Sequence, residues 1–345
     1  MDGLTSCDGA QHNDSLQISE DLSKQTKEGD IVKSHFYFKS ACKITNVHGV
    51  LWHSDTIKPI AVVTIIHGMM EHIDRYDKLA KYLVDAGFAV CGIDLVGHGH
   101  SVSDQLKRSN LPAANGRDIL LTDVHSFANY IHSRFDDGAA QFIIGHSMGS
   151  FIARLYCAAY SKELKGAIFS GTGQQPKIVS KAGNFLAHCI GKVKGYDYIS
   201  TFVDNLGVGQ YSKEDNRKCD GFAWLSTNNE HIAAYKNDDL CGTTFSVGGY
   251  AVLTDLTWAI ADNNTMQEVE PALPMLFISG SEDLVGAKGV GVKKAANQLK
   301  DLGAQNVTVR LFDGLRHEIL NDEEQSIVRE YVLNWLQNRM KETHE

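Results

Sequence analysis

The sequence has no run of about 18 consecutive apolar residues, so no segment of it is expected to span a membrane. Its N-terminus lacks a basic segment followed by an apolar one, so no secretory signal is predicted. Lys and Arg number 33 against 42 Asp and Glu, and the net charge of −9 argues against a nucleic-acid partner. We therefore expect a cytoplasmic globular protein, with transient peripheral contact with membranes as a further hypothesis.

The cysteines give no sign of a disulfide framework or a metal site. There are seven of them, an odd number, and no two form a C-x-x-C pair. This pattern is typical of reduced and mostly buried thiols in a cytosol-like compartment. No H-E-x-x-H motif or paired Cys/His spacing occurs either. The sequence thus predicts neither a metal nor another cofactor.

Apolar strand-like runs alternate with amphipathic helices over much of the 345 residues. Such alternation predicts a mostly parallel sheet with helices on both faces. We expect eight strands, at residues 35–39, 47–52, 60–66, 88–93, 142–144, 166–170, 274–279 and 307–312.

Two regions depart from this alternation. Residues 1–30 carry seven Asp and Glu against two Lys and have few apolar positions, which predicts a poorly ordered acidic extension. A short partner-binding helix at about 16–22 is the alternative there. Residues 171–264 show no clean strand pattern, so we expect a mainly helical insertion, a cap, above the carboxyl edge of the sheet. The core is then predicted over 31–170 and 265–345.

The pentapeptide at 145–149, Gly-His-Ser-Met-Gly, follows a buried strand and precedes an amphipathic helix. In this context G-x-S-x-G predicts a sharp turn that presents the hydroxyl of Ser147 at the sheet edge, with glycines where side chains would clash. A serine hydroxyl is a poor nucleophile near neutral pH and needs a histidine to take its proton. An ordinary Gly-Ser turn is the competing interpretation.

Two loops after later strands offer the partners that Ser147 needs. Asp283 follows the strand at 274–279, and His317 follows the strand at 307–312. In a parallel sheet both positions lie at the carboxyl edge, and the order Ser, Asp, His is the one this motif predicts. Glu282 is the alternative carboxylate. Each residue could instead have a local structural role as a cap or a turn.

A tetrahedral intermediate needs hydrogen-bond donors for its oxyanion. The N–H of Met148 follows the candidate nucleophile at a helix start. The second donor is expected from the glycine-containing loop after the strand at 60–66, where we choose the N–H of Met69 over that of Met70. Glu71 and His72 are expected to hold this loop, through Arg75.

Five stretches together resemble the α/β-hydrolases, and within them the monoglyceride lipase and lysophospholipase-like group, which is also classed with the serine aminopeptidase-type hydrolases. They are HGMMEHIDRY (67–76), DLVGHGHS (94–101), GHSMGS (145–150), SGSEDLVG (279–286) and GLRHEIL (314–320). The resemblance covers about residues 35–340. It implies an α/β-hydrolase fold with Ser147, Asp283 and His317 as the triad, and with Met69 and Met148 as the oxyanion donors.

The cap is where the sequence departs most from this group and where substrate choice is expected to lie. Residues of the cap and of the loops around Ser147 are predicted to bind substrate: His67, Gly68, His146, Leu186, Tyr250 and Val285. The apolar character of the cap favours an acyl chain over a charged peptide.

We expect a serine esterase acting on monoacylglycerol or on similar short- to medium-chain acyl esters. A lysophospholipase or an aminopeptidase-like amidase is the alternative, because Asp238, Asp239 and Asp255 in the cap could hold an α-amine. A non-catalytic sensor of small ligands is more remote. A dehalogenase is disfavoured, since that chemistry places Asp where this chain has Ser147. The sequence gives no oligomeric state.

Overall fold

The computed structural model describes residues 17–135, 139–214, 221–321 and 326–341. Nine strands occur in this part of the chain: β1 (Ser19–Glu28), β2 (Ile31–Lys39), β3 (Asn46–Ser54), β4 (Ala61–Ile66), β5 (Ala89–Ile93), β6 (Ala140–His146), β7 (Gly166–Ser170), β8 (Met275–Gly280) and β9 (Val307–Phe312). Five helices pack on the sheet: α1 (Asp77–Asp85), α2 (Gly116–Ser133), α3 (Met148–Tyr160), α10 (Val290–Asp301) and α11 (Ser326–Lys341). All eight predicted strands are present.

The strands form one sheet in the order β1-β2-β3-β5-β4-β6-β7-β8-β9. The pairs from β5 through β9 are parallel, whereas β1, β2 and β3 pair antiparallel with their neighbours. The chain leaves β4 toward β5 on one side and returns to β6 on the other. A doubly wound sheet binds ligands at the carboxyl edge of such a switch point.

Helices cover both faces of the sheet because the central strands are apolar on both sides. Along β4, Val62 and Ile66 pack in the core cluster that contains α2, α3 and α10. Val63 and Ile65, which alternate with them, pack in the cluster that contains α1 and α11. The predicted fold class is therefore confirmed.

Two predictions are wrong at residues 19–28, which form β1. The sheet has nine strands and not eight, and the segment predicted to be poorly ordered up to residue 30 contains this strand. This strand pairs antiparallel with β2 through a two-residue turn in which Gly29 has a φ of 60°. Its side chains are almost all exposed, so it has no apolar alternation to read. Polar side chains suit an edge strand, because they discourage pairing with other chains. Residues 1–16 lie outside the described residues.

Between β7 and β8 the described chain is helical and contains no strand. Its helices are α4 (Lys177–Lys194), α5 (Thr201–Leu206), α6 (Tyr211–Glu214), α7 (Asn229–Lys236), α8 (Val247–Ile260) and α9 (Asn263–Met266). Helix α8 is largely buried, whereas α4 and α5 expose many apolar side chains. No helix in the described part of the chain combines the length and apolarity needed to cross a bilayer.

A buried arginine on α3 joins this helical segment to the sheet. The guanidinium of Arg154 donates to the carbonyls of Gly173 and Ile260, at the two ends of the segment, and to the side chains of Gln174 and Gln298. Burial lowers the pKa of Arg154 to about 9. Helix α3 begins right after Ser147. The same helix therefore positions the candidate nucleophile at its start and, through Arg154, binds both ends of the predicted cap.

Gly149 allows α3 to approach β4 closely, and this contact generates a stability prediction. A Cβ at this position would lie 2.2 Å from the carbonyl oxygen of Ile66, a backbone atom. In a free helix Gly→Ala would stabilise by about 1 kcal/mol. Here we expect Gly149→Ala to lower the free energy of unfolding by about 1–3 kcal/mol, because the helix must shift.

Urea unfolding with an unchanged m value measures this difference. Gly183→Ala in α4 is a useful comparison, since its Cβ would meet a side-chain methyl of Thr254 at 3.1 Å. We expect a smaller effect there. A Gly149→Ala variant as stable as the wild type would contradict the packing described.

Candidate active site

Ser147 lies in a strained turn between the end of β6 and the start of α3. Its backbone has φ 52° and ψ −121°, a conformation that a non-glycine residue adopts only when the surroundings impose it. A Cβ on Gly145 would lie 2.3 Å from the carbonyl oxygen of Gly149. The predicted need for flanking glycines is confirmed, and the turn places the Ser147 hydroxyl at the carboxyl edge of the sheet.

Asp283 and His317 come together from the loops after β8 and β9. The His317 Nδ1 lies 3.0 Å from Asp283 Oδ1, and the other carboxylate oxygen accepts the hydroxyl of Ser279 at 2.7 Å. The backbone N–H of Val285 also donates to Asp283. With Nδ1 directed at the carboxylate, Nε2 is the nitrogen left to accept a proton. Glu282, the alternative carboxylate, is exposed and pairs with Lys288.

The electrostatics of this pair favour a charged histidine. Burial alone would lower the pKa of His317, but the carboxylate of Asp283, with Glu318 and Glu71 nearby, outweighs burial and raises the pKa above its usual value. His146 behaves in the opposite way. Burial and the nearby His317 lower the pKa of His146 to about 4. The two rings are 4.7 Å apart, so His146 stays neutral near pH 7 and adds no competing charge.

One cavity of about 580 Å³ has both Ser147 and His317 in its wall. Predicted site residues that line it are Gly68, Met69, His146, Met148, Leu186, Tyr250 and Val285. Most of the other lining is apolar and comes from α4, α5, α8 and the loops between them: Val179, Val203, Leu206, Val208 and Leu253. The volume falls in the range of pockets for small organic ligands.

His67 does not line this cavity, which corrects its prediction as a substrate-binding residue. Its side chain is fully buried under the loop after β4. The ring accepts a hydrogen bond from the N–H of Leu95 at 2.9 Å and contacts the carbonyl of Gly68 at 2.7 Å. Both ring nitrogens are thus used within the protein.

The loop after β4 runs beside Ser147. A Cβ on Gly68 would lie 3.0 Å from the Cβ of Ser147, so only glycine lets the backbone come this close. Met69 follows Gly68 in the cavity wall, and Met148 is the first residue of α3. A helix N-terminus presents unpaired N–H groups and favours negative charge.

Buried charges hold this loop from below. The Glu71 carboxylate accepts the N–H of Gly68 and the hydroxyl of Tyr76, and Arg75 lies 2.6 Å from its second oxygen. Burial would raise the pKa of Glu71, but Arg75 together with His146 and His67 outweighs burial, so the pKa is lowered and the carboxylate stays charged. The predicted role of Glu71 and Arg75 in holding the loop is confirmed.

Sequence reasoning missed the continuation of this network to the histidine loop. Arg75 binds both oxygens of Glu318 at 2.7 Å, and Glu318 directly follows His317. His231 of α7 contacts the same carboxylate. Trp224 was missed as well, and its ring centroid lies 5.1 Å from that of His317. The position of Glu318 directly after His317 could have drawn attention to it. No local sequence pattern, however, indicates that Glu318 contacts residues 75 and 231.

His72, Asp238 and Cys241 are the described residues that come closest to a metal-ligand set. Their ligand atoms lie within 4.8 Å of one another. His72 Nε2 already contacts Asp238 Oδ2 at 2.7 Å, and burial raises the pKa of the Cys241 thiol well above its usual value. This arrangement suits a hydrogen-bonded contact between the loop and the segment after α7.

The sheet order, the strained serine turn and the adjacent Asp–His pair define an α/β-hydrolase. Residues 57–324 match the family described as serine aminopeptidase, S33, and the chain belongs to this family.

Relatives and solved structures agree with this assignment. The chain is 25% identical to a monoacylglycerol lipase of Mycolicibacterium smegmatis over 83% of its own length and 91% of that protein. It is 25% identical to a human monoglyceride lipase over 75% of this chain and 76% of that one. A thermostable carboxyl esterase from Bacillus coagulans matches with a TM-score of 0.79 and 26% identity, over 89% of this chain and 99% of that one. The protein is thus similar to ester hydrolases of the monoglyceride lipase and esterase type.

The opposite pKa shifts of the two histidines can be measured directly. We expect NMR titration to give His317 a pKa above the ordinary value of about 6.5. We expect His146 to remain neutral down to about pH 4. In Asp283→Asn the carboxylate is lost and burial remains, so the pKa of His317 should fall. Glu282→Gln is the matched control and should leave it unchanged. An unchanged pKa of His317 in Asp283→Asn would contradict the pairing of these two residues.

Proposed function

We propose that the protein is a serine esterase that cleaves monoacylglycerol or similar short- to medium-chain acyl esters. Ser147 is the nucleophile, His317 the general base and Asp283 the residue that orients the imidazole. The N–H groups of Met69 and Met148 stabilise the oxyanion. One observation supports the proposal above all: Ser147 and His317, whose ring contacts Asp283, both line one largely apolar cavity.

The reaction would proceed through an acyl-enzyme. Ser147 Oγ attacks the ester carbonyl while His317 Nε2 takes the proton of the Ser147 hydroxyl. The resulting oxyanion accepts hydrogen bonds from the two N–H groups. The intermediate collapses, the ester C–O bond breaks, and His317 returns the proton to the departing alcohol. Water then attacks the acyl-enzyme with His317 again as base, which releases the carboxylic acid and restores Ser147.

The cavity supports an uncharged substrate. The described residues that line it include no Lys or Arg, so the phosphate of a lysophospholipid would have no cationic partner there. Its apolar part, between α4 and α8, suits an acyl chain. The polar residues Tyr235, Glu71 and Glu318 also line the cavity, and we expect them to face the alcohol.

The carboxylates offer little to the free amine of a peptide substrate. Glu71 and Glu318 line the cavity, but both bind Arg75. Asp238 contacts His72, and Asp255 lies 3.5 Å from Arg117. Neither of these cap aspartates, nor Asp239, belongs to the described cavity wall. This disfavours the aminopeptidase-like alternative. The non-catalytic sensor is disfavoured by the strained turn at Ser147, which a ligand-binding pocket alone does not require.

We further propose transient contact between the outer helices of the cap and a membrane surface. Four side chains on α4 and α5 are strongly exposed: Ile178 (73%), Phe185 (70%), Val193 (79%) and Phe202 (60%). Apolar exposure of this extent on two consecutive helices is typical of an interaction surface. Because a monoacylglycerol partitions into lipid, such contact would bring the cavity to its substrate.

Ser147→Ala tests the proposed chemistry. We expect turnover of p-nitrophenyl acyl esters and of a monoacylglycerol by the wild-type protein, with a loss of about 10⁶-fold in the variant, because no other group in the site replaces the nucleophile. A lysophospholipid and an aminoacyl arylamide complete the panel and should be poor substrates. Preferential cleavage of either one would replace the proposed substrate class. Full activity in Ser147→Ala would remove the proposal.

Flotation with phosphatidylcholine vesicles tests the membrane contact. Apolar insertion does not depend on charge, so binding should persist at high salt. Phe185→Ser combined with Phe202→Ser should weaken it strongly. Ile57→Ser, at an exposed apolar position outside the cap, is the control and should bind like the wild type. Binding that disappears at high salt, or that survives the double substitution, would contradict the role of these helices.

A further inference from the structure

The carbonyl of Met70, in the loop after β4, receives two hydrogen bonds from the segment that includes α7 and the turn after it. The hydroxyl of Tyr235 donates to it at 2.9 Å, and the N–H of Gly242 at 3.0 Å. Met70 has a φ of 61°, in the left-handed region that long side chains rarely occupy. Such a conformation persists only when contacts around it hold it in place.

The other end of the same short stretch is also fixed. The N–H of Gly68 donates to the Glu71 carboxylate, which Arg75 holds in turn. Met69 therefore lies between two residues whose backbones are anchored, one from the body and one from the cap. Its N–H is the donor assigned above to the oxyanion.

We propose that Tyr235 is a positioning residue whose hydroxyl, by holding the carbonyl of Met70, aims the N–H of Met69 at the oxyanion. The inference rests on the proposed function, since it concerns the transition state of that reaction. The position of cap helix α7 then determines where the oxyanion donor points. This role is additional to any role of the cap in binding the acyl chain.

The position of Tyr235 is itself set by the buried charges. The guanidinium of Arg75 lies 4.8 Å from the centre of the Tyr235 ring and binds Glu318, beside His317. His231, one helical turn before Tyr235, contacts the same carboxylate. Helix α7 is thus tied to the oxyanion loop and to the histidine loop at once. Burial, with Glu318 nearby, raises the pKa of Tyr235 well above its usual value, so the hydroxyl keeps its proton.

Tyr235 also lines the cavity, and a direct contact with substrate would have a different kinetic effect. An interaction present in both the ground state and the transition state changes KM and leaves kcat unchanged. The oxyanion exists only after attack, so a misplaced donor lowers kcat and kcat/KM together. The two roles are therefore separable by experiment.

Tyr235→Phe keeps the ring and its contact with Arg75 and removes only the hydroxyl. We expect kcat on a p-nitrophenyl ester to fall about tenfold, with KM within about twofold of the wild-type value. An alkyl trifluoromethyl ketone, which forms a tetrahedral adduct with an oxyanion, should lose affinity by about the same factor as kcat/KM. Circular dichroism and the thermal midpoint establish that the variant is folded.

Tyr196→Phe is the matched control. The hydroxyl of Tyr196 contacts His188 Nδ1 at 2.9 Å within the cap and is not part of the described cavity wall. We expect wild-type kinetics and inhibitor affinity in this variant. A similar loss of kcat in it would show a general effect of weakening the cap and would overturn the inference.

Two results for Tyr235→Phe would also overturn the inference: unchanged kinetics, or a raised KM with wild-type kcat. Both are read against an active wild-type enzyme and an inactive Ser147→Ala variant, so they refute the positioning role alone. If the wild-type protein cleaves no ester, the proposed function fails, and the positioning role fails with it.

Discussion

The site depends on the close backbone contact between the serine turn and the end of β4. Gly149 packs against the carbonyls of Ile66 and His67, and Gly68 packs against Ser147. These contacts bring the candidate nucleophile and the loop after β4 together at the point where the sheet order reverses. Any side chain beyond a hydrogen at either glycine would separate them. The strained backbone conformation of Ser147 persists because β6 of the parallel sheet and helix α3 fix the chain on both sides of it.

Buried charge connects the parts that this contact does not reach. Arg75 lies between Glu71 of the loop after β4 and Glu318 of the loop after β9, and His231 brings helix α7 to the same cluster. Removing one partner of a buried pair leaves an uncompensated charge, so such clusters resist rearrangement. The cavity beside them is largely apolar, and His317, which contacts Asp283, is among the residues of its wall. Charged and apolar side chains thus occupy adjoining regions of one pocket.

The sequence was sufficient for the central fold because each buried parallel strand is a continuous apolar run, as at residues 60–66 and 142–144. It was also sufficient to predict that Asp283 and His317, which follow such strands directly, would come together. It failed for β1, since an exposed edge strand is held by backbone pairing and carries no apolar period. It failed for His231 and Trp224, because contacts between the cap and the loops join residues far apart in the chain. His67 was misassigned because adjacency to Gly68 does not reveal that its ring points beneath the loop.

We propose that Ser147 carries the acyl group during turnover. The most direct measurement is mass spectrometry of the protein quenched during hydrolysis of a p-nitrophenyl acyl ester, followed by peptide mapping. We predict an added acyl mass on the peptide that contains Ser147, formed as fast as the nitrophenol is first released. An acyl group on another residue, or steady turnover with no acylated protein in a quench fast enough to catch the first turnover, would contradict it.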